Sequence, residues 1–150
     1  MTRFRGLSHH TIDSKGRLII PARFKELIKN GERPGVMVSK MDKCLVAYPF
    51  EEWEKIEERI LELAERSDAM RRFRRVFIGG AFECFCDKLD RILIPPSLRD
   101  YADLTKEISV VGVLDHFEVW ARDNWENENA LSDRDMQEEE FRNQISGLRL

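Results

Sequence analysis

The sequence predicts a mainly β fold with short helices, of the α+β class, in which two copies of one small unit close each other into a barrel, with an amphipathic helix between them. Three observations predict it. The stretch DSKGRLIIPARFKEL at residues 13–27 recurs as DKLDRILIPPSLRDY at residues 87–101. In both copies a polar loop leads into a short run of β-formers that a proline ends. Between the copies, Trp53, Ile56, Ile60 and Leu63 recur at spacings of three and four, the period of one helix face.

The two stretches align at a shift of 74, with Asp13/Asp87, Arg17/Arg91, Ile20/Ile94 and Pro21/Pro95 identical and Gly6 falling on Gly80. Downstream, Val38–Tyr48 resembles Val111–Trp120, and Trp53 meets Trp125. In the first copy, Leu7–Ile12 and Arg17–Ile20 read as short strands flanking a four-residue hairpin loop, in which Gly16 takes a positive φ at little cost. Pro21 cannot donate to a ladder and ends the second strand. Ala22–Lys29 follows as a short helix with Phe24, Leu27 and Ile28 on one side, broken by Gly31 and Pro34-Gly35. Val36–Val38 and Cys44–Tyr48 form a second strand pair around residues 40–43. The unit is therefore hairpin, short helix, hairpin. One such unit leaves sheet edges unpaired, whereas two interleaved copies cover each other. The predicted boundaries are residues 6–53 for the first repeat, 54–79 for a linking helix, 80–125 for the second repeat and 126–150 for a tail.

The linking helix starts near Pro49, where a missing N–H is harmless. Acidic residues crowd its early turns and Arg71, Arg72, Arg74 and Arg75 lie beyond it, an order that suits the helix dipole. Its apolar stripe packs on the barrel or also meets a neighbouring subunit. The tail reads as a short exposed helix or a frayed end.

The chain's 150 residues, 42% apolar and 35% charged, suit one domain or two small repeats sharing a core. No apolar stretch approaches the length of a membrane span, and Met1-Thr-Arg-Phe-Arg-Gly lacks the apolar core of a secretion signal, so a cytoplasmic protein is expected. Three cysteines without a signal argue against a disulfide framework, and three histidines supply a zinc site poorly. No metal and no cofactor is expected. The net charge of −3 speaks against nucleic acid as a partner, but it is unevenly spread. Residues 1–29 carry seven Lys/Arg against two acids, and residues 121–150 carry four Arg against eight acids.

These residues resemble the MraZ family of bacterial transcriptional regulators, built from two SpoVT-AbrB-like repeats. The resemblance spans roughly Phe4 to Trp125. It rests on the paired Asp-x-x-x-Arg motifs, Asp13/Arg17 and Asp87/Arg91, each followed by an apolar strand and proline. Asp42 ahead of CLVAYP and Trp53, LTKE from Leu104, and Gly112 ahead of FEVW support it. The resemblance implies a swapped-hairpin AbrB-like barrel, assembly into a closed ring of eight or more copies, and binding to short repeated sites on double-stranded DNA. Those sites lie ahead of the division and cell-wall gene cluster. It also implies association with the nucleoid.

Within that implication, Arg17 and Lys15 are the foremost DNA contacts, since arginine grips phosphate or guanine with two prongs. Arg3, Arg5 and His9 are expected near the same loop and add phosphate contacts. Arg91 and Lys88 belong to the second loop, where Asp90 stands in place of the usual glycine and adds a negative charge. Asp13, Gly16 and Asp87 are structural: the carboxylates cap loop N–H groups and pair with the arginines. An enzyme is not expected, because an arginine four residues on holds each carboxylate ionised and no nucleophile or phosphate-loop motif is present. The other reading is a protein-interaction scaffold or antitoxin-like partner, with the acidic segment from Gln137 as its docking element.

Overall fold

A computed structural model describes residues 3–29, 33–63 and 67–150 of the chain. Gly31, expected to break the first short helix, lies outside the described residues. The strands are β1 (Leu7–Thr11), β2 (Arg17–Ile19), β3 (Gly35–Met41), β4 (Cys44–Tyr48), β5 (Phe82–Phe85), β6 (Arg91–Leu93), β7 (Glu107–Gly112) and β8 (Phe117–Ala121). A 3-10 helix covers Ala22–Ile28, and the α-helices are α1 (Phe50–Glu62), α2 (Asp68–Gly79), α3 (Pro96–Tyr101), α4 (Arg122–Asp135) and α5 (Glu139–Ser146).

The strands form a six-stranded antiparallel sheet in the order β1-β7-β8-β4-β3-β5 and a two-stranded ribbon, β2-β6. Exchanging each strand with its counterpart at the repeat shift leaves the six-stranded order reading the same from its other end. The two copies interleave: β1 pairs with β7, β5 with β3, β4 with β8 and β2 with β6, while β3-β4 and β7-β8 are hairpins within one copy.

Two expectations are corrected here. The sheets do not close into a barrel among the described residues; β1 and β5 remain edges. Nor do β1 and β2 form a ladder with each other. Their loop closes locally through Gly16 N donating to Asp13 O and Asp13 N donating to Arg17 O, both at 3.0 Å. The strands then diverge into different sheets. The reason lies in β2's length: three residues paired in a hairpin would leave Leu18 and Ile20 uncovered, whereas pairing with β6 sets them over the large sheet. The α+β class holds, as a mostly antiparallel sheet with short helices.

Both faces of the sheet are covered, so its strands alternate between two apolar layers. Toward the ribbon, Val36, Val38, Leu45, Ala47, Ile108, Val110, Phe117 and Val119 meet Leu18, Ile20, Ile92 and Ile94, with Phe24 and Leu98 brought in by the two short helices. Phe4, Phe24 and Phe117 contact one another there at centroid distances of 5.0 to 5.6 Å. Toward the long helices, Cys44, Val46 and Trp120 meet Trp53 of α1 and Phe77 of α2. Buried Ser39, on that side, donates to the Phe77 carbonyl at 2.6 Å and so satisfies its hydroxyl.

The segment expected as one linking helix carries two, α1 and α2, and Arg71, Arg72, Arg74 and Arg75 sit inside α2 rather than beyond a helix end. Ser67 starts α2 by accepting from Met70 N at 3.0 Å. At the other end, α4 begins at Arg122, so Trp125 lies in its first turn, and the chain continues to α5, whose residues are all at least partly exposed.

Candidate nucleic-acid interface

The Asp-x-x-x-Arg spacing builds the same device twice. Asp13 Oδ1 accepts from Lys15 N at 3.0 Å and Arg17 N at 2.9 Å, while Oδ2 accepts from Arg17 Nε at 2.7 Å. Asp87 does the same for Leu89 N, Arg91 N and Arg91 Nε, each at 2.8–2.9 Å. One carboxylate therefore shapes the loop with one oxygen and holds an arginine with the other. The arginine backbone N–H, ahead of its guanidinium, keeps each carboxyl below the ordinary carboxylate range. Only Nε of each arginine is engaged: the terminal Nη1 and Nη2 of Arg17 and Arg91 make no hydrogen bond to a described residue. The pronged end is held in place and left unfilled, which is the arrangement for accepting a phosphate or a guanine edge.

The ribbon brings the two devices together. Its register sets Arg17 opposite Leu93 and Ile19 opposite Arg91. Leu18 and Ile92 point into the core, so Arg17, Ile19, Arg91 and Leu93 share the outer face. Each loop also bonds the other strand's end: Ile20 N donates to Asp90 O at 2.9 Å, and Ile94 N to Gly16 O at 2.8 Å.

Gly16 has φ 90° and Asp90 φ 59°, so both loops use the left-handed region at the same place. The extra negative charge expected of Asp90 is offset, because Lys25 Nζ stands 2.8 Å from its Oδ2. Lys25 and Arg99 were missed in the sequence, although the shift of 74 carries one onto the other. Each reaches from its own copy's short helix to the other copy's loop: Lys25 to Asp90, and Arg99 against Gly16, with its Nε donating to Ile94 O at 3.0 Å. Lys15, Arg17, Lys25, Lys88, Arg91 and Arg99 thus gather around Asp13, Asp87 and Asp90, a local excess of cations on a net acidic chain. Lys15 and Lys88 are exposed at the loop tips.

Of the other expected contacts, Arg3 and Arg5 are not brought to this spot. Arg3 and Arg5 precede β1, whereas the loop follows it, a separation of roughly 20 Å along an extended chain. Arg3 lines a hollow with Glu26, Glu51, Glu52 and Asp115. The carbonyl of Arg5 accepts from Arg23 Nε at 2.9 Å. His9 lies in β1, its Nδ1 2.8 Å from Ser109 Oγ of β7, and lines a hollow with Ile19 of the ribbon, so it does flank this face.

A family model described as "MraZ protein, putative antitoxin-like" matches the chain twice, over residues 3–76 and 77–145. Together the matches cover nearly the whole sequence, in two tandem copies as the strand exchange has them. The chain belongs to the MraZ family. It is 54% identical over 147 residues to the transcriptional regulator MraZ of Desulforapulum autotrophicum, covering 98% of this chain and 99% of the relative. It is 48% identical to that of Desulfosudis oleivorans over the same shares, and 46% identical to that of Syntrophobacter fumaroxidans over 82% of each chain. The MraZ match runs past Trp125 to residue 145, so α4 and α5, read from the sequence as a tail outside the resemblance, are part of the family's unit. Among the described residues no helix is long and apolar enough to cross a membrane, and no three His, Cys, Asp or Glu side chains are grouped to hold a metal ion.

Proposed function

We propose that the chain is a transcriptional regulator that binds double-stranded DNA through the outer face of the β2-β6 ribbon and its two loops. The observation that carries this reading is the pair of arginines held at Nε by aspartates, on one face, with their terminal nitrogens unfilled. The names of the relatives support the regulatory role. In this reading Arg17, Arg91, Lys15 and Lys88 grip the duplex and Asp13, Asp87 and Gly16 shape the loops. Arg3 and Arg5 are outlying phosphate contacts, reached only where DNA passes beyond the ribbon, and His9 is a phosphate contact at the ribbon's flank, beside Ile19. The two repeats form a swapped-hairpin arrangement of the AbrB kind.

One ribbon of this size binds weakly, and repetition raises avidity by roughly 10²–10⁴ where spaced sites engage several copies. Assembly into a closed ring, acting at repeated sites ahead of the division and cell-wall genes, is the form this takes. Complementary helical surfaces support it. In α2, four arginines face one aspartate beside exposed Phe73 and Val76, while residues 133–142 carry five acids against two arginines. Pairing α2 of one copy with α5 of the next is a head-to-tail contact, the kind that closes into rings. Cytoplasmic, nucleoid-associated placement follows from this role.

The test is a gel shift of the full chain on DNA carrying spaced repeats, across a salt series. Arg17→Ala and Arg91→Ala should each weaken binding strongly, and wild-type affinity should fall steeply with salt. Wild-type affinity indifferent to salt, or unchanged by both substitutions, would remove the ribbon as the contact surface. A small protein partner captured without any DNA shift would instead favour an antitoxin-like role.

A further inference from the structure

The outer face of the ribbon holds two side chains that phosphate binding does not use. Ile19 is 53% exposed and Leu93 55%, although each sits in a strand between residues that are buried or engaged. Isolated exposed aliphatics are ordinary. These two alternate with the two held arginines in a checkerboard: Arg17 and Ile19 on one strand, Leu93 and Arg91 opposite them. Leu18 and Ile92 beneath them are buried, so the aliphatics are fixed on a supported surface. We propose that Ile19 and Leu93 are specificity residues that pack on thymine methyl groups in the major groove, while the adjoining arginines take guanine edges. This inference rests on the DNA-binding reading above and adds to it how sequence is read.

Geometry and chemistry support the assignment. Residues i and i+2 of a strand stand roughly 6.8 Å apart, close to the rise of two base pairs. A ribbon lying along the groove therefore sets Arg17 and Ile19 over positions two steps apart, and Arg91 and Leu93 likewise on the other strand. Two-stranded ribbons fit the major groove, where the thymine methyl is the apolar feature of the code. A lysine- and arginine-rich surroundings draws the duplex in without selecting sequence. The aliphatic pair gives the same face an element that phosphate cannot satisfy. The local two-fold of the ribbon makes the two aliphatics equivalent, so each site should hold two such methyls.

The test uses the full-length chain and a duplex enriched by it from random-sequence DNA, then resynthesised with deoxyuridine for thymidine. Uracil keeps every hydrogen-bonding edge and removes only the methyl. Burying one methyl favours the thymine form about fourfold, so wild type should prefer it by about four- to fifteenfold. Ile19→Ala with Leu93→Ala should bring that ratio to about one while keeping the wild-type salt slope. Single uracil substitutions should place the sensitive thymines two steps from a guanine. Equal wild-type affinity for both duplexes overturns the proposal, and needs no variant. So does a ratio that survives the double substitution, or a fall in assembly mass in the variant, which would mean that a second copy covers the pair. Failure to enrich or shift any DNA would instead bring down the DNA-binding reading itself.

Discussion

Gly16→Ala tests whether the first loop depends on the backbone shape described above. Gly16 holds φ 90°, and an added Cβ would stand 2.9 Å from the Ile94 carbonyl oxygen and 2.6 Å from Arg99 Nε. The arginine end can swing aside, but the carbonyl belongs to the strand whose N–H donates to Gly16 O at 2.8 Å. Moving it weakens that bond. A left-handed alanine costs about 1–2 kcal/mol, and the strained hydrogen bond adds about 0.5–1.5 kcal/mol. The total of about 1.5–3.5 kcal/mol corresponds to a melting temperature lower by about 3–14 °C for a chain of this size. Asp90→Gly is the counterpart: it relieves a left-handed residue at φ 59° and loses a half-exposed pair with Lys25. These offset to within about 1 kcal/mol. Thermal and urea unfolding, followed by circular dichroism, read both variants. A Gly16→Ala protein melting within about 2 °C of wild type would show that the loop accepts a side chain there and that the argument from its conformation is wrong.

Three further outcomes are expected. Arg72→Glu with Arg75→Glu should reduce assembly mass measured by light scattering, as should Glu139→Arg with Glu140→Arg, and combining all four should restore it; unaltered mass in both pairs rejects the α2–α5 contact. In His116, burial lowers the pKa, but Glu118 and Asp115 outweigh it and raise the value above 6.5. The folded state therefore gains stability that is fully present below pH 6.5 and is lost as pH rises through the raised value; His116→Gln should flatten that fall, and an unchanged unfolding profile from pH 6.5 upward would contradict it. Finally, Asp13→Ala should lower stability, since Lys15 N and Arg17 N lose their acceptor, and weaken DNA binding in gel shifts about as much as Arg17→Ala, because the arginine then has no fixed direction; full retention of binding by the folded variant would deny the carboxylate its positioning role.

The fold was legible where the sequence repeats and obscure where the repeat units meet. The shift of 74 gave both loops and both prolines, and a slightly shorter shift the equivalence of Trp53 with Trp125, because each is a local matter of turn, strand end or helix start. Strand partners were another question. A loop such as DSKG signals that the chain turns, and the pairing of β1 with β7 and β2 with β6 is decided by which distant strand covers Leu18 and Ile92. Local signals do not carry that choice. The site followed the same division. Asp13, Gly16 and Arg17 were readable from spacing, since the carboxylate must meet N–H groups two and four residues on. Lys25 and Arg99 were not, as each serves a loop in the other copy. Arg3 and Arg5 were drawn toward the loop by closeness in sequence, which an extended strand turns into distance.

The same exchange between copies bears on the proposed assembly. Fold symmetry makes α1-α2 and α4-α5 equivalent, since each pair follows the last strand of its repeat. With identical sequences the two faces would carry like charge and repel each other across any contact that joined them. Here α2 and its counterpart α5 have diverged to opposite sign, four arginines in α2 against the acids that run from Asp133 into α5, while α1 is itself acidic. Opposite sign favours α2 of one copy against α5 of another, and disfavours α2 against α2 or α5 against α5. A chain with one acidic and one basic end accepts a neighbour on each side, so such contacts extend until they close. The β2-β6 ribbon lies across the sheet from α1 and α2, so a neighbour seated on α2 stands on the far side of the sheet from it. In the proposed function, assembly through the helices and binding through the ribbon are then separable, and charge reversal in α2 should abolish the first while leaving the weak binding of a single ribbon intact.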